Sequence, residues 1–435
     1  MEVSLIGFAV LLALCFIGIP LGFSLLLVGL VGFSLERGMA AALSMSGQQI
    51  LDFSTNYGLT VLPLFVLMGS FIHRAQLSDE LYEAANAWLG HRRGGLAMAT
   101  VAACAGFAAV SGSSLATAAT MSKVAMPPMR RFRYADSLAS GTIAAGGTLG
   151  ILIPPSVPMV IYGILTETDI GKLFIAGILP GILMVLLFFI SISLTTRLNP
   201  AMGPAGDRAT SQQRWQATRK IWAVVALFVL VLGGIYLGVF TPTEAAGIGA
   251  FGSMLFALAR GKLNVESFAD ALIDSCRTTA MIFMVGFGAL VFSNFVNLAG
   301  LTGAMVEFIE NLNVSPTGVV FAMCIIYVIL GCVFDSLAML LLTVPIFFPI
   351  IDPLGVDPIW FGIIVIIVIE IGLITPPIGM NVFMVKTVLQ DVPVWAIFRG
   401  VWPFLAATLV ALALLFAFPE IALMLPEYMI TPTGG

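Results

Sequence analysis

The 435-residue chain is 60% hydrophobic and only 10% charged, with a formal net charge of −4. Those proportions exclude a soluble globular domain, and no basic, aromatic-studded surface points to nucleic acid. The five cysteines (Cys15, Cys104, Cys276, Cys324, Cys332) lack CxxC spacing and read as small packing residues, not as disulfides or metal ligands.

No Lys or Arg precedes the first apolar run, so residues 3–19 read as a membrane span, not a cleaved signal peptide. A second span at 20–34 follows the Gly18-Ile19-Pro20 turn, then a polar loop to about residue 56 and a span at 57–74; these scaffold spans fill 3–74. Residues 77–90 form an interfacial arm, with Leu77, Leu81, Trp88 and Leu89 on one face and Asp79, Glu80 and Glu83 on another. The apolar stretch 94–128 is broken by Ser111-Gly112-Ser113-Ser114 into arms of about 15 residues. They are too short to span comfortably, which predicts a re-entrant hairpin. An interrupted span at 136–166 and a span at 172–197 complete a first repeat over 1–198. The linker 199–220, following Arg197 and carrying Arg208, Arg214, Arg219 and Lys220, marks the cytoplasmic side.

The second repeat, 221–418, follows the same plan. Scaffold spans fill 221–297 (221–240, 242–259 and 278–297), and an arm at 301–312 has Leu301, Met305, Phe308, Ile309 and Leu312 at helical spacing. A hairpin at 316–349, an interrupted span at 358–390 and a last span at 394–418 precede a tail, 419–435. Gly150-Ile151-Leu152-Ile153-Pro154-Pro155 recurs 222 positions on as Gly372-Leu373-Ile374-Thr375-Pro376-Pro377. At that same offset Ser114-Leu115-Ala116 maps onto Ser336-Leu337-Ala338, Pro127 onto Pro349 and Pro20 onto Pro242. The first hairpin's base carries Arg92, Arg93, Arg130, Arg131 and Arg133; the second's carries only Glu310, Asp352 and Asp357. By the positive-inside rule the copies insert in opposite senses. The expected fold is therefore an all-α polytopic membrane protein. It is an inverted-topology repeat with two re-entrant helical hairpins and two broken transmembrane helices, about ten spans in all, with both termini outside.

Pro154, Pro155, Pro376 and Pro377 are the hinges of the broken helices. Open backbone inside a bilayer survives only where it is packed in protein or lines a wet cavity, so breaks in register in two halves point to a binding site. Freed carbonyls and hydroxyls suit small cations, and half-helix N-termini suit anions. The first candidate cage is Ser111, Gly112, Ser113, Ser114 and Thr117 from a tip, with Gly147 and Gly150 from the facing break. The second is Gly331, Asp335 and Ser336, with Gly372, Thr375, Asn381 and the Met380 carbonyl. Intramembrane carboxylates are functional candidates by default. These are Glu244, Asp335 and Glu370: Glu244 is placed to cap a helix start, and Glu370, two residues before Gly372, to orient the broken backbone. Lys123 and Lys386 are placed to snorkel or pair. His73 and His91 sit beside interfacial arginines, and no HExxH, GxSxG or phosphate loop is present. The chain reads as a non-enzyme without cofactor or transition metal, driven by a gradient or another subunit.

Five segments carry a family resemblance: SGSSLATAATMSKVAMPPM (111–129), GGTLGILIPPSVPMVIYG (146–163), FTPTEAAGIGA (240–250), CVFDSLAMLLLTVPIFFPI (332–350) and EIGLITPPIGMNVF (370–383). At these motifs the chain resembles the large membrane (M) subunit of TRAP (tripartite ATP-independent periplasmic) transporters, within the ion-transporter superfamily. The resemblance implies sodium-coupled uptake of an organic acid, a C4-dicarboxylate, sialic acid or a related carboxylate, across a bacterial cell inner membrane that the chain crosses many times. It implies an elevator-type transporter, its hairpins and broken helices sliding against a scaffold of the remaining spans. Sodium ions, the coupling ions and the only metal implied, are expected in both cages. One ion falls to Ser111, Gly112, Ser113, Ser114, Thr117, Gly147 and Gly150, the other to Gly331, Asp335, Ser336, Gly372, Thr375 and Met380. Cargo is expected between the tips, against Ser114, Pro154, Ser336, Pro376 and Asn381. The implied partners are a periplasmic substrate-binding protein and a small four-helix TRAP membrane subunit, a separate chain because this one starts almost at once with the repeat. The alternative is a stand-alone sodium- or proton-coupled carboxylate carrier of the same superfamily, with Glu370 or Asp335 as a proton relay.

Overall fold

The two repeats fold into the same succession of helices, and the places where they differ have local causes. A computed structural model describes residues 2–312, 314–332 and 334–429, apart from the side chains of 308–312. The side chains of the expected apolar positions Phe308, Ile309 and Leu312 and of the acidic Glu310, with residues 430–435 of the tail, lie outside what is described.

In the first repeat α1 (Glu2–Ile17) and α2 (Leu21–Arg37) flank the Gly18–Pro20 turn. The expected polar loop is instead a helix, α3 (Met39–Thr55), followed across Asn56 by α4 (Val61–Arg74). Its Ala, Leu, Met and Gln residues are good helix formers, although its polar face breaks the apolar run that marks a span. The arm is α5 (Leu77–Leu89), the hairpin α6 (Gly95–Ser111) and α7 (Ser114–Arg131), and the broken span α8 (Asp136–Leu152) and α9 (Val157–Leu165), bent by 40°. α10 (Ile170–Leu198) closes the repeat.

The linker holds a helix, α11 (Ser211–Lys220), which lies on the arm: Lys220 pairs with Glu83 (2.7 Å) and Trp88 donates to Thr218 Oγ1 (3.0 Å). The second repeat comprises α12 (Trp222–Tyr236), α13 (Pro242–Ala259), α14 (Val265–Leu298), the arm α15 (Leu301–Leu312), the hairpin α16 (Pro316–Gly331) and α17 (Ser336–Ile351), the broken span α18 (Pro358–Ile374) and α19 (Met380–Val388), and α20 (Val394–Ala417). The tail begins with α21 (Glu420–Glu427). Glu244 caps α13 as expected, accepting from the Thr241 amide (2.8 Å).

At the 222-residue offset α3 and α4 together correspond to the single 34-residue α14, of which the expected span 278–297 is only the second part. Gly58 and Pro63 in the first copy are Ala280 and Val285 in the second. A proline inside a continuous helix loses one hydrogen bond and collides with the carbonyl four residues back. In the first copy the chain therefore restarts, placing Pro63 in the first turn of α4, where it is tolerated. Among the described residues five helices are long and apolar enough to cross a bilayer, or up to seven if each of two bent pairs, α8–α9 and α11–α12, is one span. Others among the ten expected spans are helices of 15–18 residues, such as α1, α2, α12 and α13.

The broken spans run antiparallel. Tyr162, near the end of α9, donates to Pro358 O in the first turn of α18 (2.6 Å). At the opposite end Asp391, just after α19, pairs with Arg130 (2.5 Å), which also pairs with Asp136 in the first turn of α8 (3.0 Å). Each hairpin ends beside the start of its own broken span, so the two hairpins enter from opposite ends, as an inverted repeat requires. Packing obeys the same exchange: α2 lies on α14 and α13 on α4, while α7 lies on α19 and α17 on α9. The scaffold is tight. A Cβ on Gly29 would fall 2.6 Å from the backbone of Phe292, the small-residue packing by which membrane helices approach. α10 and α20 pack with the hairpins and broken helices, α20 meeting α8 at Gly400 and Gly141 backbone to backbone. The bundle thus includes both last spans, and the scaffold reduces to α1–α4 and α12–α14.

Candidate functional site

Both breaks are closed by hydroxyls from the chain itself. In the first, Ser156 Oγ donates to Ile151 O (2.6 Å); in the second, Thr375 Oγ1 donates to Ile371 O (2.6 Å). These bonds take up carbonyls that the missing turns leave open.

At the first tip Gly112 turns the chain with φ 60°, in the left-handed region that glycine enters without strain, and Ser113 caps α7. Thr117 Oγ1 donates to Ser113 O (2.7 Å) and lies 3.0 Å from Ser111 Oγ. Gly150 brings the facing break onto this turn: a Cβ there would fall 2.6 Å from Ser113 O. A cluster of backbone and hydroxyl oxygens results, the donor chemistry of a hard cation. Gly147, one turn earlier, faces Ala118 and serves close packing. At the second tip Gly331 and Gly372 pack backbone to backbone, where a Cβ on Gly372 would lie 2.6 Å from Gly331 Cα. Asp335 caps α17 by accepting from the Leu337 amide (3.2 Å), and Met380 opens α19 after the break.

The two tips meet. A cavity of about 400 Å³ is bounded by Ser111–Ala116 of one hairpin and Asp335–Leu337 of the other. That is within the usual size of small-ligand pockets, roughly 300–1,000 Å³. Of the residues expected at cargo, Ser114 and Ser336 line it; Pro154 lies instead on an apolar groove between α6, α10 and α12, and Pro376 and Asn381 are not on its wall. Asn381 is buried and donates to Ala144 O on α8 (3.2 Å), tying the second broken span to the first. Glu370 is fully buried. Neither carboxylate oxygen has a hydrogen-bond partner among the described residues, so it does not orient the open backbone; the nearby Thr148 hydroxyl is given to Ala145 O (2.8 Å). Lys386 pairs with backbone, donating to Gln390 O (2.6 Å) and Val392 O (2.9 Å).

The scaffold wall of the cavity was not anticipated. It carries Ser70 and His73 of α4 and Thr278 of α14, opposite Thr120 and Lys123 of α7. The signal available was the spacing of Ala116, Thr120 and Lys123, which places them on one helix face with Ser113.

Paired broken helices, antiparallel, with two hairpin tips around one cavity, define a multi-pass membrane transporter. The family described as "Tripartite ATP-independent periplasmic transporter, DctM component" matches residues 8–421. The C4-dicarboxylate TRAP transporter large permease DctM of Pseudomonas aeruginosa is 38% identical over 383 residues, covering 88% of this chain and 89% of that one. The sialic acid TRAP transporter large permease SiaM of Vibrio cholerae is 33% identical and covers 96% of each chain. The ectoine large permease TeaC of Halomonas elongata is 32% identical over 96% of this chain. In fold, the crystal structure of the Alcanivorax borkumensis YdaH transporter superposes with a TM-score of 0.66 over 98% of this chain and all of that one, at 14% identity. The chain belongs to the DctM family of TRAP transporter large permeases, and it is a multi-pass protein of the bacterial inner membrane.

Proposed function

We propose that this chain is the transport subunit for sodium-coupled uptake of an organic acid. The observation that carries the reading is the single cavity bounded by hairpin tips from oppositely running repeats. Each tip adjoins a glycine of the facing broken helix. The oxygen cluster of Ser111, Ser113 and Thr117 with Gly150 holds one sodium ion, and the second tip, Gly331, Asp335 and Ser336 with Gly372, Thr375 and Met380, holds another. The α7 and α17 starts face the cavity between them, and the dipole of α7, capped by the neutral Ser113, favours a carboxylate there. Cargo bound by Ser114 and Ser336 then completes the junction between the tips.

Alternating access follows from moving the bundle, α6–α10 with α16–α20, as one body against the scaffold, the arms α5 and α15 serving as its suspension. C4-dicarboxylates and sialic acid, which give two relatives their names, are the leading cargoes. A small four-helix membrane subunit covers part of the exposed apolar scaffold, and a periplasmic binding protein delivers the cargo.

The test is uptake into liposomes holding the complete membrane complex. Accumulation of succinate or N-acetylneuraminate should require external sodium and the soluble binding protein. Uptake by this chain alone under a proton gradient, indifferent to sodium, would instead establish the stand-alone carrier.

A further inference from the structure

The cavity between the tips carries a positive charge that neither cation cage uses. One face of α7 runs from the tip along the cavity wall through Ala116 and Thr120 to Lys123, and α4 faces it with Ser70 and His73. The exposed Lys123 ammonium has no hydrogen bond or ion pair among the described residues. Two of the neighbouring charges are already engaged. Arg74 pairs with Asp274 (3.0 Å) and Asp270 (3.7 Å), and Asp335 caps α17. His73 Nδ1 and Thr120 Oγ1 lie 3.3 Å apart, so the imidazole is held beside the same helix face.

The two tips differ in charge. Asp335 supplies a carboxylate to the start of α17, offsetting that helix's positive end, whereas α7 is capped by the neutral Ser113. Side chains on a helix lean toward its N-terminus, so Lys123 reaches back toward Ser114, not away from it. The α7 wall thus presents positive charge to the cavity, and among the described residues no carboxylate pairs with Lys123.

We infer that Lys123 is a specificity-determining residue for the cargo: its ammonium pairs with a carboxylate of the acid lodged between the tips, with His73 flanking the same group. This rests on the organic-acid reading above and adds a charge requirement to it. A charge-assisted hydrogen bond contributes about 1.5–3 kcal/mol, which converts to roughly a tenfold or greater loss of affinity when it is removed.

The experiment measures binding to the purified chain in sodium, using succinate, N-acetylneuraminate and their neutral amides as probes. The variants are Lys123→Gln, Lys123→Arg and His73→Gln, each checked for an unchanged thermal midpoint. The parent should prefer the acids to the amides. Lys123→Gln should lose tenfold or more for an acid and most of that preference, with the sodium half-saturation unmoved. Lys123→Arg should stay within about threefold. A Lys123→Gln protein that binds the acid within twofold of the parent removes Lys123 and leaves the organic-acid reading standing. A parent that fails to distinguish either acid from its amide removes both.

Discussion

Gly150 and Gly372 are the residues on which the two tips rest, and both are defined by what a side chain would strike. At Gly150 a Cβ would lie 2.6 Å from Ser113 O, and at Gly372 2.6 Å from Gly331 Cα, backbone in each case. Backbone of a packed turn does not move aside cheaply; overpacking of this kind costs about 1–3 kcal/mol. Gly150→Ala and Gly372→Ala should each lower the thermal midpoint in detergent and weaken sodium dependence. Gly47→Ala on α3, where nothing lies within 4 Å, should leave transport intact and raise the midpoint slightly. Equal midpoints for all three would show that the tips are not seated on these glycines. Thr117 is the second residue-scale test. Thr117→Val keeps the shape but removes the bonds to Ser113 O and Ser111 Oγ. A net hydrogen bond of about 0.5–1.5 kcal/mol predicts a rise of several-fold in the sodium half-saturation for uptake, with protein insertion unchanged.

Among the elements, the clamp at the base of the first hairpin joins three of them. Arg130 on α7 holds Asp136 of α8 and Asp391 after α19. Its hydrogen bond holds the Asp391 carboxyl below the usual carboxylate range, and Lys386 adds in the same direction. A carboxylate lowered in the folded state contributes stability above its unfolded value, near 3.9, and loses it as pH falls through the folded one. Arg130→Gln should therefore lower the thermal midpoint at pH 7, and the gap to the parent should close below about pH 4. A gap that persists in acid would assign the effect to packing. The element scale is also where sequence reading succeeded and failed for identifiable reasons. Both hairpins and both breaks were legible because Gly, Ser and Pro interrupt apolar runs in register. α3 was not, because Ser44, Ser46, Gln48, Gln49 and Asp52 make its stretch polar while leaving its helix propensity intact. The break at Asn56 follows from Gly58 and Pro63, so replacing both by their second-repeat counterparts, Ala and Val, should fuse α3 to α4 as in α14. Slower hydrogen exchange at amides 57–61 would report the fusion.

For the whole molecule, the repeat predicts which surfaces touch, but motifs predict only half of the cavity. The tips carry the duplicated residues; the scaffold wall of Ser70, His73 and Thr278 carries no motif, and its place emerges only when α4 and α14 pack across the bundle. On the proposed sliding motion that division has a mechanical meaning, because the cavity straddles the boundary along which the bundle would shear. The His73–Thr120 contact crosses it at 3.3 Å, joining α4 of the scaffold to α7 of the bundle. Cysteines at these two positions, in a background with the exposed Cys276 replaced by Ser, can be bridged by mercury(II). Bridging should reduce uptake into liposomes at least to about one tenth, a change of roughly 1.4 kcal/mol in rate terms, and dithiothreitol should restore it. The unbridged protein is its own control for the loss of the imidazole. Full turnover with α4 and α7 quantitatively bridged means that these helices do not slide past one another, and the bundle then opens the cavity by moving its tips alone.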